Sequence, residues 1–217
     1  MKSNLFLQVI IAILMLCDFS VVRAETLNTD KALEWAEDKG RLLLNTFQEQ
    51  DTELRNRKLD DLFEEYVDVP YVAKFVVGRY WKEMDEPQRQ EYLDIFKRYV
   101  KAVYKTFPLG FLSRISYEVT GAVPDKNFVV VNALIRINAE ENAPIQEFLV
   151  AFRLRKNNGK IKLVDVKVAE SSLLLSYRGK FYEMISSLDG EISWFLEDLT
   201  AMSISAEKIN QRNLREI

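Results

Sequence analysis

The chain has 217 residues, of which 48% are hydrophobic and 29% charged, with a formal net charge of −3. It contains no histidine and one cysteine, and its seven glycines are dispersed. These counts exclude several function classes. Without histidine there is no Ser-His or Cys-His nucleophile system, no usual general base and no ordinary zinc site. Without clustered glycines there is no phosphate-cradling loop, and a mildly acidic chain with scattered Lys and Arg lacks the concentrated basic face that nucleic acid requires.

In chain order, Lys2 precedes an apolar run from Leu5 to Leu16 broken only by Gln8, and Val22-Arg23-Ala24 follows as a small-residue cleavage site. Residues 1–24 therefore read as a secretory signal peptide, too short for a stable spanning helix. Cys17 could mark a lipoprotein, but Leu16 stands before it where a small residue is expected. Removal of this segment takes Lys+Arg from 30 to 28 and Asp+Glu from 33 to 32, leaving 193 residues at −4 and no cysteine. Residues 25–217 are expected to form one domain held by its core alone, which a chain of this length can bury.

Helical periodicity runs from about 28 to 112. Leu33, Ala36, Gly40, Leu43 and Phe47 share one face, as do Leu54, Leu59, Leu62, Phe63 and Tyr66. Pro70 opens a short apolar helix bearing Tyr71, Val72, Phe75, Val76 and Tyr80. Asp85 and Gln88 form a capping box for what reads as the longest helix, striped by Tyr92, Phe96, Tyr99, Val100, Val103, Tyr104 and Phe107 and ended by Pro108 and Gly110. The carboxylate pairs Asp60-Asp61 and Glu64-Glu65, among Arg55, Arg57 and Lys58, read as a solvated face.

The period then changes to two. Strands are expected at 115–123, 127–138, 145–155 and 160–168, joined by turns at Pro124-Asp125, Glu140 to Pro144 and Asn157-Asn158-Gly159. Short connections make this a four-stranded antiparallel meander. The C-terminal helices are expected over about 174–213, with helical pattern evident from near Ser176 and interrupted at Asp189-Gly190. The expected fold class is α+β, one sheet with helices before and after it. Val129, Val131, Ala133, Ile135 and Ile137 load one face of the second strand while Phe128, Val130 and Leu134 load the other, and the third strand is similar. Such an excess fits either a sheet covered on both faces or one with a ligand pocket under its helices; periodicity does not separate the two.

The run Asp68-Val69-Pro70-Tyr71-Val72-Ala73-Lys74-Phe75-Val76-Val77-Gly78-Arg79-Tyr80-Trp81 resembles the MlaC family, the toluene-tolerance auxiliary proteins. The resemblance continues through Pro87-Gln88-Arg89, Tyr92, Phe96, Tyr99 and Tyr104, then Asp165-Val166-Lys167-Val168, Ser172-Leu173, Tyr177-Arg178 and Phe181. It implies a periplasmic phospholipid-binding protein, without catalysis or cofactor. Such a protein shuttles lipid between an outer-membrane lipoprotein complex and an inner-membrane ABC transporter with an MCE-type component, maintaining outer-membrane lipid asymmetry. It also implies a sheet of nuclear-transport-factor type with the tails between sheet and helices, and a monomer is expected. On that footing Val72, Phe75, Val76, Phe96, Val100, Val103, Val131, Val150, Phe152, Val166 and Val168 are the candidates for tail contact, with Arg79 and Arg178 beside the headgroup. One departure stands out: Ala169-Glu170-Ser171 replaces the family's acidic residue, glycine and aliphatic residue before Ser172. Two alternatives remain open, a carrier for another apolar ligand such as a hopanoid, and an isomerase-like enzyme using Asp165 as base.

Overall fold

A computed structural model describes residues 26–106, 115–137 and 145–213. The expected signal peptide with Cys17, the expected helix stop at Phe107, Pro108 and Gly110, and the expected Glu140 to Pro144 turn lie outside the described residues.

Among the described residues, four capped helices come first. In α1 (Thr29–Phe47) the Asn28 side chain accepts the Asp30 N–H at 2.7 Å. In α2 (Thr52–Tyr66) Asp51 accepts the Leu54 N–H at 3.0 Å. Asp68 caps α3 (Val69–Val77), with Pro70 in its first turn, and a 3-10 turn (Gly78–Lys82) follows. Helix α4 (Glu86–Lys105) carries the expected reciprocal box, Gln88 N–H to Asp85 at 2.8 Å and Asp85 N–H to Gln88 at 3.1 Å. Each cap satisfies N–H groups that the first turn leaves without partners.

The sheet is an antiparallel meander of five strands rather than four: β1 (Ile115–Asp125), β2 (Phe128–Ile137), β3 (Gln146–Asn157), β4 (Lys160–Val168) and β5 (Ser171–Ser172). The fifth strand is two residues long, pairing Ser171 with Val168 and Ser172 with Lys167, too short to show a period of its own. Pro124 and Asp125 belong to β1, and the turn falls on Lys126 and Asn127, with Lys126 at φ +55°. Asn158 and Gly159, at φ +50° and +76°, make the expected hairpin turn.

Helix resumes at Leu173, one residue before the expected bound and ahead of Ser176, because the Ser172 hydroxyl caps α5 (Leu173–Ser187) by accepting the Leu175 N–H at 3.1 Å. The last described helix, α6 (Ile192–Asn213), has 22 residues against 20 in α4, so α4, expected to be the longest helix, is not.

Two cores result. Helices α3, α4, α5 and α6 enclose an aromatic cluster in which Phe181 meets Phe195 at 5.3 Å and Phe96 at 6.1 Å, with Tyr92 against Phe96 at 5.8 Å. A smaller core lies between α1 and one sheet face, built on Ala32, Ala36, Val129, Val131 and Leu154. The opposite face meets α3, where Tyr71 packs on Phe128 and the buried Asp68 pairs with Arg155 at 2.8 Å.

Candidate functional site

Beyond the smaller core, α1 and α2 stand off the sheet and leave a cavity of about 510 Å³, within the range of about 300–1,000 Å³ common for small-molecule sites. The sheet contributes Ile115, Tyr117, Ile135, Val150, Phe152, Leu163, Val166 and Val168. Helix α1 contributes Trp35, Gly40, Leu43, Leu44 and Phe47; α2 contributes Leu59, Leu62, Phe63 and Tyr66; Tyr104 reaches in from α4. Among the described lining residues only Lys39 carries a formal charge. Leu43 and Val168 line the cavity yet are 37% and 39% exposed, so the wall opens at their positions.

A β-bulge shapes this wall. Side chains two apart share a sheet face, so Leu163 and Val166, three apart, should point oppositely. The β3–β4 register skips a residue, pairing Arg153 with Asp165 but Leu154 with Leu163, which returns Leu163 to the cavity face.

Gly40 sets the spacing of α1. A Cβ there would fall 2.3 Å from the Tyr117 ring, so only glycine admits that ring against the helix. The Tyr117 hydroxyl donates to the Ala36 carbonyl at 3.1 Å, and burial pushes its pKa up to about 12. On the other side, the Tyr104 hydroxyl donates to Asp60 at 2.5 Å; burial first, and that hydrogen bond second, hold its pKa well above the usual phenol range.

Outside the cavity, α2 is tied to α4 by charge. Lys97 and Lys101 both pair with Glu64, the former at 3.1 Å, and Lys105 pairs with Asp60 at 2.7 Å. These contacts line a shallow charged groove of about 380 Å³. Hydrogen bonds from Lys101 and Lys97 hold the Glu64 carboxyl below its usual range.

Of the tail-contact candidates, Val150, Phe152, Val166 and Val168 lie on the cavity wall. Val131 is fully buried in the core between α1 and the sheet. Val76 and Phe96 are buried in the aromatic helical core, and Val72, Phe75, Val100 and Val103 pack against it, so these six lie away from the cavity. The two arginines are also elsewhere. Arg178 donates to the Phe75 carbonyl at 2.7 Å and to the Tyr182 hydroxyl at 2.9 Å, closing the end of α3. Arg79 stacks over Tyr80 with its guanidinium 4.8 Å from the ring centre. Gly78, at φ +57°, permits this corner, since a Cβ would lie 2.2 Å from the Tyr182 hydroxyl. Asp165 is not a cavity residue either: it accepts the Ser172 hydroxyl at 2.7 Å and the Leu174 N–H at 3.0 Å, anchoring the start of α5.

Missing from the candidates were the contributions of α1 and α2. Their apolar stripes were visible, and Gly40 inside a helix, where it costs ~1 kcal/mol relative to alanine, was the available signal of a close approach.

The profile of the MlaC protein family matches residues 41–200. The chain belongs to the MlaC family. A phospholipid-binding protein from Ralstonia solanacearum, solved in complex with a phospholipid, shares the fold of this MlaC-family chain, with a TM-score of 0.64. The two are 18% identical, and the superposition covers 83% of this chain and 99% of the other. No curated protein matches the chain. Among the described residues no helix is long and apolar enough to cross a membrane, and no cluster of three or more metal-ligating side chains occurs.

Proposed function

We propose that this MlaC-family chain is an exported, non-catalytic phospholipid carrier that encloses acyl tails in the cavity between its sheet and helices α1 and α2. The observation that carries this reading is the cavity itself, about 510 Å³ walled almost wholly by apolar side chains. Exposing a tail to water costs ~0.8 kcal/mol per methylene, so a carrier needs a wall as apolar as the bilayer interior. Val150, Phe152, Val166 and Val168 touch the tails, together with Leu43, Phe47 and Phe63 facing them. Sequence-distant relatives with this fold include one solved with phospholipid, which favours that ligand over a hopanoid. Against the isomerase reading, Asp165 is not among the cavity-lining residues, and its oxygens accept hydrogen bonds at the start of α5.

In this reading residues 1–24 direct the chain to the periplasm. There it works as a monomer, with a sheet of nuclear-transport-factor type, and shuttles lipid between an outer-membrane lipoprotein complex and an inner-membrane ABC transporter bearing an MCE-type component. Mass spectrometry of organic extracts of the purified protein tests the core of the proposal. Phospholipid at close to one molecule per chain is expected; absence of co-purified lipid together with no uptake of added phospholipid would falsify it.

A further inference from the structure

We infer that Lys39 is the residue by which the cavity selects lipids carrying a phosphate over equally apolar lipids that lack one. The inference rests on the carrier reading above and adds a specificity determinant to it. Tails alone cannot discriminate: a diacylglycerol and a phospholipid with the same acyl chains bury the same methylenes, each contributing equally. Selection must then come from polar groups on the wall.

Two of these are already engaged. The Tyr117 hydroxyl donates to the Ala36 carbonyl, and the Tyr104 hydroxyl donates to Asp60. Lys39 differs. It is half-buried, and its ammonium lies 5.0 Å from the centre of the Tyr66 ring, whose edge meets Trp35 at 5.7 Å. It forms no ion pair with a carboxylate of the described residues. An ammonium carries three donors and no acceptor, and a ring face offers it attraction without a counter-ion.

Among the described residues this places one cation without a carboxylate partner between α1 and the end of α2, on a cavity wall whose other described lining residues carry no formal charge. A phosphate diester seated there gains a charge-assisted hydrogen bond in surroundings of lower effective dielectric than water. The headgroup accordingly emerges between the two helices, with the tails running along the sheet beneath it.

The test offers the purified, delipidated protein equimolar phosphatidylglycerol and diacylglycerol of identical acyl chains in non-ionic detergent micelles, with bound lipid quantified by mass spectrometry. The unsubstituted protein should prefer phosphatidylglycerol by about tenfold, equivalent to ~1.4 kcal/mol. Lys39→Met should bring the ratio near one by lowering phosphatidylglycerol uptake, and Lys39→Arg should keep the preference. An unchanged ratio in Lys39→Met, or equal uptake by the unsubstituted protein, overturns the inference and leaves the carrier reading standing. Uptake of neither lipid overturns both.

Should Lys39→Met fail to fold, the unsubstituted protein still decides. Raising ionic strength from ~0.01 to ~1 M shortens the screening length from ~30 to ~3 Å and should erode the preference; a preference indifferent to salt overturns the inference. Inorganic phosphate alone should leave the melting temperature unchanged. A shift as large as that from phosphatidylglycerol would make this a site for free phosphate and also overturn it.

Discussion

Ala169 occupies the left-handed region at φ +51°, a conformation that costs an L-residue with a Cβ roughly 1 kcal/mol. It does so because the chain must turn from β4 into β5 within two residues, and its N–H is held by the Leu149 carbonyl at 2.8 Å. The family's glycine is missing from this triplet, and the strained position turns out to be Ala169 rather than Glu170, which no residue pattern could assign. Ala169→Gly should therefore stabilise the fold by ~0.5–1 kcal/mol, the strain relief exceeding the added freedom of the unfolded chain, measured as a higher urea midpoint at unchanged slope. Gly40 presents the opposite case. Alanine there gains ~1 kcal/mol of helix propensity but meets the Tyr117 ring at 2.3 Å, and overpacking costs ~1–3 kcal/mol. Sterics win, so Gly40→Ala should lower the urea midpoint and, by forcing the ring into the cavity, the lipid content of the purified protein.

Helix α2 is the element whose role the residue pattern concealed. Its acidic pairs read as a solvated face, yet Asp60 and Glu64 pair with Lys105, Lys97 and Lys101 on α4, while Leu59, Leu62, Phe63 and Tyr66 wall the cavity behind them. A charge run of this kind has the same sequence signature whether it faces water or another helix. Glu64 has its pKa lowered in the folded state, so its contribution is present above the usual carboxylate range and is lost as pH falls through the lowered value. The pair is largely exposed and its contribution to stability is small. What it should govern is the local opening of α2: in Glu64→Gln, amides of residues 52–66 should exchange faster than in the unsubstituted protein at neutral pH, and acidification of the latter should reproduce the effect. Equal exchange in both would remove this tether from the account. The starts of α3 and α4, by contrast, were legible to within a residue or two, because Asp68, Pro70, Asp85, Pro87 and Gln88 are start signals that act locally, whereas Tyr80, expected on α3, falls in the 3-10 turn beyond Val77.

Across the whole molecule, the residues that make the family recognisable are concentrated in the aromatic core and its corner at Gly78, Arg178 and Tyr182, whereas much of the cavity wall comes from α1, α2 and the inner sheet face. The two should separate in mutants. Phe96→Ala removes a fully packed ring and should destabilise the protein by ~3–5 kcal/mol. Val166→Phe adds volume into open space and should change stability by less than ~1 kcal/mol while lowering bound lipid at least twofold; stability by denaturant and lipid by mass spectrometry give both readings from one preparation.

By itself the sequence determined the α+β class, the order of elements, most of their caps and the hairpin at Asn158-Gly159, because each depends on residues a few positions apart. It also excluded histidine chemistry and displayed more apolar surface than one sheet face needs. Which apolar stripe is packed and which is left open was decided only in three dimensions. Val76 and Val166 are both valines on apolar faces, but one is buried in the aromatic core and the other faces a gap held open by Gly40 against Tyr117 and by the bulge that turns Leu163 inward. Emptiness is a property of how far apart elements come to rest, and that distance is set by contacts between residues remote in the chain.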